Sequence, residues 1–131
     1  DTLGHAAGDD ALAQFGQVLR RNVLGTDLVA RLGGDEFAVT LNNVRGPQDA
    51  VVVAERILAD LAEPITVAET SQLLRASVGI AMTSGDDSPR DALHRADLAM
   101  YEAKRGSGSS WRVYVPHEAD DAEATASIPQ A

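Results

Sequence analysis

Hydrophobic positions along the chain alternate between helical and extended spacing. Leu12, Phe15, Leu19 and Val23 recur three and four residues apart, which predicts a helix capped by Asp9 or Asp10 and running to about Val23. Residues 28–32 and 37–41 are short apolar runs on either side of Gly33-Gly34, a pair that accepts the positive φ of a tight hairpin turn. Gly46-Pro47 breaks the chain. Pro47 suits the first turn of a helix to about Ala62, with Val51, Ala54, Leu58 and Leu61 as its buried stripe and Pro64 beyond its end. Residues 65–68 and 73–82 read as two strands joined by the polar run 69–72. Ser88-Pro89 pairs a cap with a first-turn proline and opens a helix to about Lys104, whose apolar face is Leu93, Ala96, Met100 and Ala103. A glycine- and serine-rich loop over 106–110 leads to a last strand over 111–115.

The order is helix, hairpin, helix, hairpin, helix, strand. It predicts an α+β fold: a mostly antiparallel sheet flanked by helices. No strand comes before the first helix.

Composition narrows the picture. With 131 residues, 44% of them apolar, the chain can bury one core. The absence of cysteine removes disulfides, thiolate catalysis and cysteine zinc sites, and fits a cytoplasmic setting. No apolar run is long enough to span a bilayer, so this segment is expected to make no membrane contact. The net charge of −9 disfavours nucleic acid as a partner. Four of the acids, Glu118, Asp120, Asp121 and Glu123, lie in a terminal stretch without Lys or Arg. Residues 116–131 therefore read as an acidic, disordered tail, and residues 1–115 as the folded part with a charge of −5. Ten of the eleven basic residues are Arg, and the one Lys is Lys104.

The chemistry concentrates in Arg31-Leu32-Gly33-Gly34-Asp35-Glu36-Phe37. Two glycines bare the backbone to a bulky anion. The two carboxylates that follow, brought together by a hairpin tip, suit a hard divalent cation shared with substrate phosphates. His5 is expected to pack or hydrogen-bond locally, Arg31 to pair with an acid on a neighbouring strand, and Phe37, Leu93, Met100 and Tyr101 to be core.

Four ordered segments carry a resemblance to a known family. DTLGHAAGDDAL (1–12) is similar to an N-D-x-x-G-H-x-x-G-D-x-x-L stretch entered one residue late, and ARLGGDEFAV (30–39) carries the family signature. ASVGIA (76–81) resembles its S-x-G-I/V-A strand, and RADLAMYEAKRGSG (95–108) its A-D-x-A-M/L-Y-x-A-K helix. The chain thus resembles the GGDEF family, the diguanylate cyclases, over residues 1–115.

That resemblance implies a palm-like nucleotidyl-cyclase fold, here without its first strand and first helix. It implies condensation of two GTP into cyclic di-GMP by two-metal-assisted 3′-hydroxyl attack, with Mg²⁺ or Mn²⁺ as cofactor and a homodimer as the working unit. On the matching positions, Asp35 and Glu36 would be catalytic and metal-binding, with Asp35 the preferred aid to 3′-hydroxyl deprotonation. Gly33 and Gly34 would let the α-phosphate and ribose approach, Asp9 would read guanine, and Lys104 would reach the terminal phosphates as a point charge.

The chain departs from the family pattern in three ways. The first strand, with its metal-binding Asp and guanine-reading Asn, does not precede residue 1, so the 131 residues alone are expected to be inactive, to lack a two-state fold and to leave an open core. At the inhibitory Arg-x-x-Asp motif the chain reads Leu24-Gly25-Thr26-Asp27: Leu24 replaces the Arg while Asp27 is retained, and no tight product inhibition is expected there. The loop after Lys104 reads Gly106-Ser107-Gly108-Ser109 and lacks its usual cation, leaving Arg105 as a neighbouring substitute. The alternative function is therefore a degenerate GTP-binding module that regulates an attached or partner domain, and the sensory or regulatory domain expected upstream is unknown.

Overall fold

The computed structural model describes residues 2–106 and 108–116, with side chains described from residue 6 onward. The elements are α1 (Thr2–Arg21), β1 (Leu28–Gly33), β2 (Glu36–Thr40), α2 (Pro47–Leu61), β3 (Ile65–Val67), β4 (Thr70–Gln72), β5 (Ser77–Ile80), α3 (Pro89–Lys104) and β6 (Ser110–Val113). The α+β expectation holds. β1–β2 and β3–β4 are antiparallel pairs, whereas β5 and β6 pair in parallel, from Ser77↔Ser110 to Ile80↔Val113. Parallel pairing follows from connectivity, because α3 crosses over between the two strands.

The core gathers where α1 and α2 meet. Val18, Leu19, Ile57 and Leu61 are buried there, and Phe15, Val29, Phe37, Val39 and Leu74 pack around them. Phe15 and Phe37 meet edge to face with centroids 5.1 Å apart, the favoured geometry for opposed ring quadrupoles. Polar ties join the end of α1 to α2 and its middle to β3: Asn22 Nδ2 donates to Asp60 Oδ2 at 2.8 Å, and Gln14 Nε2 donates to the Thr66 carbonyl at 3.0 Å.

Several expectations need correction. α1 begins at Thr2, so Asp9 and Asp10 lie inside it rather than capping it. Ala6 and Ala7, strong helix formers, lie in the earlier turns, and Asp10 accepts from Gln14 one turn on instead of from a helix-end amide. The buried stripe of α2 is Ala54, Ile57 and Leu61, with Ile57 in the place given to Leu58. The polar run 69–72 is no mere connector. Ala68 and Glu69 form a two-residue turn with φ of 51° and 65°, and Thr70–Gln72 is itself a strand. Without Asn or Gly at the turn, its left-handed pair had no local signature.

On α3 the packed face is built from alanines. Ala99 and Ala103 are buried, while Leu93 (45% exposed) and Tyr101 (62%) face solvent, contrary to their reading as core. The cause is Gly79 on β5. A Cβ there would collide with the backbone of Ala96 and Met100, so the helix lies hard against the strand and only small side chains fit between.

The start of α3 is clasped electrostatically. Ser88 Oγ accepts from Asp91 N at 3.1 Å, and Arg95 forks onto the Asp87 carboxylate at 3.0 and 3.3 Å. The Arg95 guanidinium, helped by the Ser84 amide, holds the Asp87 carboxyl below its ordinary value, and Asp87 holds Arg95 above its own. A depressed carboxyl binds fewer protons folded than unfolded. Its stabilisation is present above the ordinary carboxylate pKa and is lost as pH falls through the lowered one. Acid titration of the unfolding free energy is expected to show this loss, and Asp87→Asn to flatten that part of the curve.

β2 and β5 do not pair with each other. Between them runs a cleft of about 600 Å³, lined by consecutive residues 35–39 on one side and 74–79 on the other. Side chains alternate across a strand, so a wall of consecutive residues is a strand's edge rather than its face. Leu12, Phe15 and Met100 supply its apolar floor. Among the described residues, no helix is long and apolar enough to cross a membrane. The tail reading for 116–131 lies outside the described residues except for Pro116.

Candidate active site

The signature forms the tip of the β1–β2 hairpin. Arg31 pairs with Phe37 but Gly33 pairs with Glu36, so Leu32 is an extra residue bulged from the ladder and stands 54% exposed. The two-residue loop is Gly34-Asp35, with Gly33 still in the strand. Gly33 (φ 149°) and Gly34 (φ 51°) both take left-handed backbone, and the space a Cβ would occupy at either is open. Glycine is needed here for conformation and leaves the main chain accessible.

Arg31 does not pair with an acid. Its Nε and Nη2 both donate to the Gly34 carbonyl, at 2.9 and 2.7 Å. That carbonyl belongs to the peptide bond joining Gly34 to Asp35. The fork therefore fixes the plane from which the Asp35 side chain departs, which makes Arg31 a positioning residue for the hairpin tip.

Asp35, in the turn, and Glu36, the first residue of β2, both line the cleft between β2 and β5. Both are exposed, and neither carboxylate takes a hydrogen bond or ion pair among the described residues. Across the cleft α3 presents Asp97, Met100 and Lys104. Spacings of three and four put these three on one helical face. The Lys104 ammonium is likewise unpaired among the described residues, so carboxylates and ammonium remain available to a ligand.

Other sequence candidates lie elsewhere. Asp9 is exposed on α1, two residues before Ala11, and does not itself line the cleft. The His5 side chain is outside the described residues. Asp27 is engaged structurally. Its Oδ2 accepts from Leu24 N at 2.9 Å and its Oδ1 from Asn42 N at 2.9 Å, tying the turn before β1 to the residues after β2. Leu24 is 69% exposed beside it. Arg105 reaches toward Glu102 (3.9 Å) and is not part of the cleft wall. Two cleft residues escaped the sequence reading. Asp97 was legible, since it stands seven residues, or two turns, before Lys104. Arg75, just before β5, carried no local signal.

Magnesium suits this donor set within limits. It commonly takes one or two carboxylates and completes its shell with water and phosphate oxygens. Asp35 and Glu36 meet that requirement for one ion. No cluster of three or more His, Cys, Asp or Glu side chains able to hold a metal forms among the described residues.

Comparison with known proteins places these features in a family. The family model "Diguanylate cyclase, GGDEF domain" matches residues 1–110. Diguanylate cyclase TpbB of Pseudomonas aeruginosa is 43% identical over 115 residues, covering 86% of this chain and 26% of that protein. Response regulator PleD of Caulobacter vibrioides is 40% identical over 108 residues, covering 79% of this chain and 24% of its own length. The chain thus spans about a quarter of these curated relatives. The crystal structure of the GGDEF domain of TpbB superposes with a TM-score of 0.81 at 40% identity, over 89% of this chain and 74% of that one. The chain belongs to the GGDEF family.

Proposed function

We propose that this chain carries part of a diguanylate cyclase site, at which two GTP are joined into cyclic di-GMP and two pyrophosphates leave. The observation that carries this reading is the cleft wall itself: Asp35 and Glu36 unpaired at a bare glycine turn, facing the side of α3 that bears Lys104. Family membership supports it independently.

In this reading each 3′-oxygen forms a bond to the α-phosphorus of the other nucleotide, and the bond from that phosphorus to the pyrophosphate oxygen breaks. Asp35 takes the 3′-hydroxyl proton, a role that a carboxylate free of other partners can fill. Asp35 and Glu36 would hold Mg²⁺ or Mn²⁺, which when bound withdraws charge from phosphate oxygens and acidifies a nearby hydroxyl. A two-ion scheme takes ligands beyond this pair. Lys104 balances the terminal phosphates. Gly33 and Gly34 give the ribose and α-phosphate close access to the main chain. Asp9 reads guanine from within α1 by accepting from N1–H and N2–H. Two copies of the domain, each holding one GTP, face each other.

The test is to give the protein carrying this chain GTP and Mg²⁺ and to follow cyclic di-GMP by mass spectrometry. Product from a folded dimer is expected, and none from residues 1–131 alone. Tight GTP binding by a folded dimer without turnover would favour the regulatory module instead, the reading motivated by the cation-poor loop after Lys104.

The geometry at Asp27 bears on product control. Because both carboxylate oxygens already accept backbone amides and Leu24 offers no guanidinium, this turn is proposed to lack an inhibitory product site. Asp27→Ala is expected to cost about 1–2 kcal/mol of stability in denaturant titration, the usual effect of losing hydrogen bonds to a charged acceptor. Calorimetric titration with cyclic di-GMP should show no submicromolar binding that depends on Asp27.

A further inference from the structure

Arg75 is the one basic residue of the cleft that the reading above leaves without a role. It stands between Leu74, which packs on the core, and β5, and it is exposed. Its position is fixed from two sides. Ala76 N donates to Ser109 Oγ at 3.3 Å, and Ser110 N donates to the Ala76 carbonyl at 3.3 Å. These bonds bind the residue after Arg75 to the loop that follows Lys104. In that loop Gly108 (φ 102°) sits directly beneath the side chain, for a Cβ there would lie 3.2 Å from Arg75 Nη1. Glycine at 108 leaves the guanidinium its room.

Among the described residues only Arg75 and Lys104 bring positive charge to the cleft wall, and they face the same cavity as Asp35 and Glu36. Like Lys104, Arg75 has no ion pair or hydrogen bond to its side chain among the described residues. A polyphosphate entering beside two carboxylates needs cations that no protein acid has already neutralised. A guanidinium is suited to this, since its fork grips two phosphate oxygens at once where an ammonium acts as a point charge.

We infer that Arg75 is the partner of Lys104 in binding the phosphates of GTP. The charge comes from the strand side of the cleft and replaces the cation that the loop 106–109 does not provide. Arg105, turned toward Glu102, does not fill that place. The inference rests on the GTP reading above.

The experiment is calorimetric titration of the protein carrying this chain with GTP and, separately, GMP, both in Mg²⁺. Arg75→Ala is expected to weaken GTP roughly tenfold and GMP less than twofold, since only the β- and γ-phosphates are lost to it. Arg75→Lys should recover part of the GTP affinity, and Arg105→Ala should change it less than twofold. Circular dichroism and melting of each variant report whether it folds, and Arg75→Gln serves if Arg75→Ala does not. The inference is overturned if folded Arg75 variants bind GTP within twofold of wild type, or if GTP and GMP weaken equally. A wild-type protein that binds no GTP overturns the GTP reading itself.

Discussion

Asp35→Ala is expected to slow cyclic di-GMP formation by the protein carrying this chain at least about 100-fold, the lower bound of what a positioned general base contributes. The fold should barely notice. Asp35 sits exposed in the hairpin turn, its carboxylate holds nothing in place among the described residues, and the turn's shape comes from Gly33, Gly34 and the Arg31 fork. Surface substitutions away from such features usually stay within about 0.5 kcal/mol. Activity and stability are thus predicted to separate, which loss through misfolding would not produce. Asp35→Asn keeps the shape and removes the charge, so it should be nearly as slow. Glu36→Gln should raise the Mg²⁺ concentration needed for half-maximal rate if the pair shares one ion. Rates at saturating GTP across a Mg²⁺ titration, with denaturant melts of the same samples, check all three. Near wild-type turnover by folded Asp35→Ala would remove this residue from the chemistry.

Much of the fold could be read from local pattern, and the limits of that reading have physical causes. The first hairpin, α2 and the opening of α3 were legible because Gly33-Gly34, Pro47 and Ser88-Pro89 act locally, through φ and through capping. The turn at Ala68-Glu69 was not legible, because its backbone is imposed by the strands it joins and not by its own residues. Leu93 and Tyr101 were misplaced for a related reason. Periodicity reports which residues are apolar, but the face α3 buries is chosen by how closely Gly79 lets it approach β5, and a close approach selects alanine over larger side chains.

The site divides in the same way. Asp35, Glu36 and Lys104 belong to motifs whose residue types announce their chemistry. Arg75 stands beside the loop after Lys104 because β5 pairs in parallel with β6, which brings that loop alongside residue 76. That neighbourhood joins positions some thirty residues apart and leaves no trace in local spacing. Arg31 was visible as a residue near the signature, but its partner was not, since a main-chain carbonyl has no letter of its own.

The dependence on Gly79 leads to the largest expected effect on stability. Gly79→Ala adds one methyl, yet that methyl meets the Ala96 carbonyl oxygen and the Met100 amide and Cα, all of them backbone. A flexible side chain could swing aside, but the backbone of a regular helix cannot yield without moving the helix. The variant must therefore either push α3 away from β5 or break the β5–β6 ladder. Overpacking of a tight core typically costs about 1–3 kcal/mol and sometimes more, and a clash with rigid main chain belongs at the upper end. A loss of more than about 3 kcal/mol is expected, which in a domain of this size lowers the melting temperature by roughly 10 °C or more. Gly85→Ala is the matched control: nothing lies within 4 Å of its Cβ position, and the change should stay within about 1 kcal/mol of wild type. The consequence reaches the site, because α3 carries Lys104 and Asp97 along the cleft. Gly79→Ala protein that remains folded at low temperature should bind GTP more weakly than Gly85→Ala protein. Equal melting temperatures for the two variants would show that α3 does not rest on β5 as closely as described.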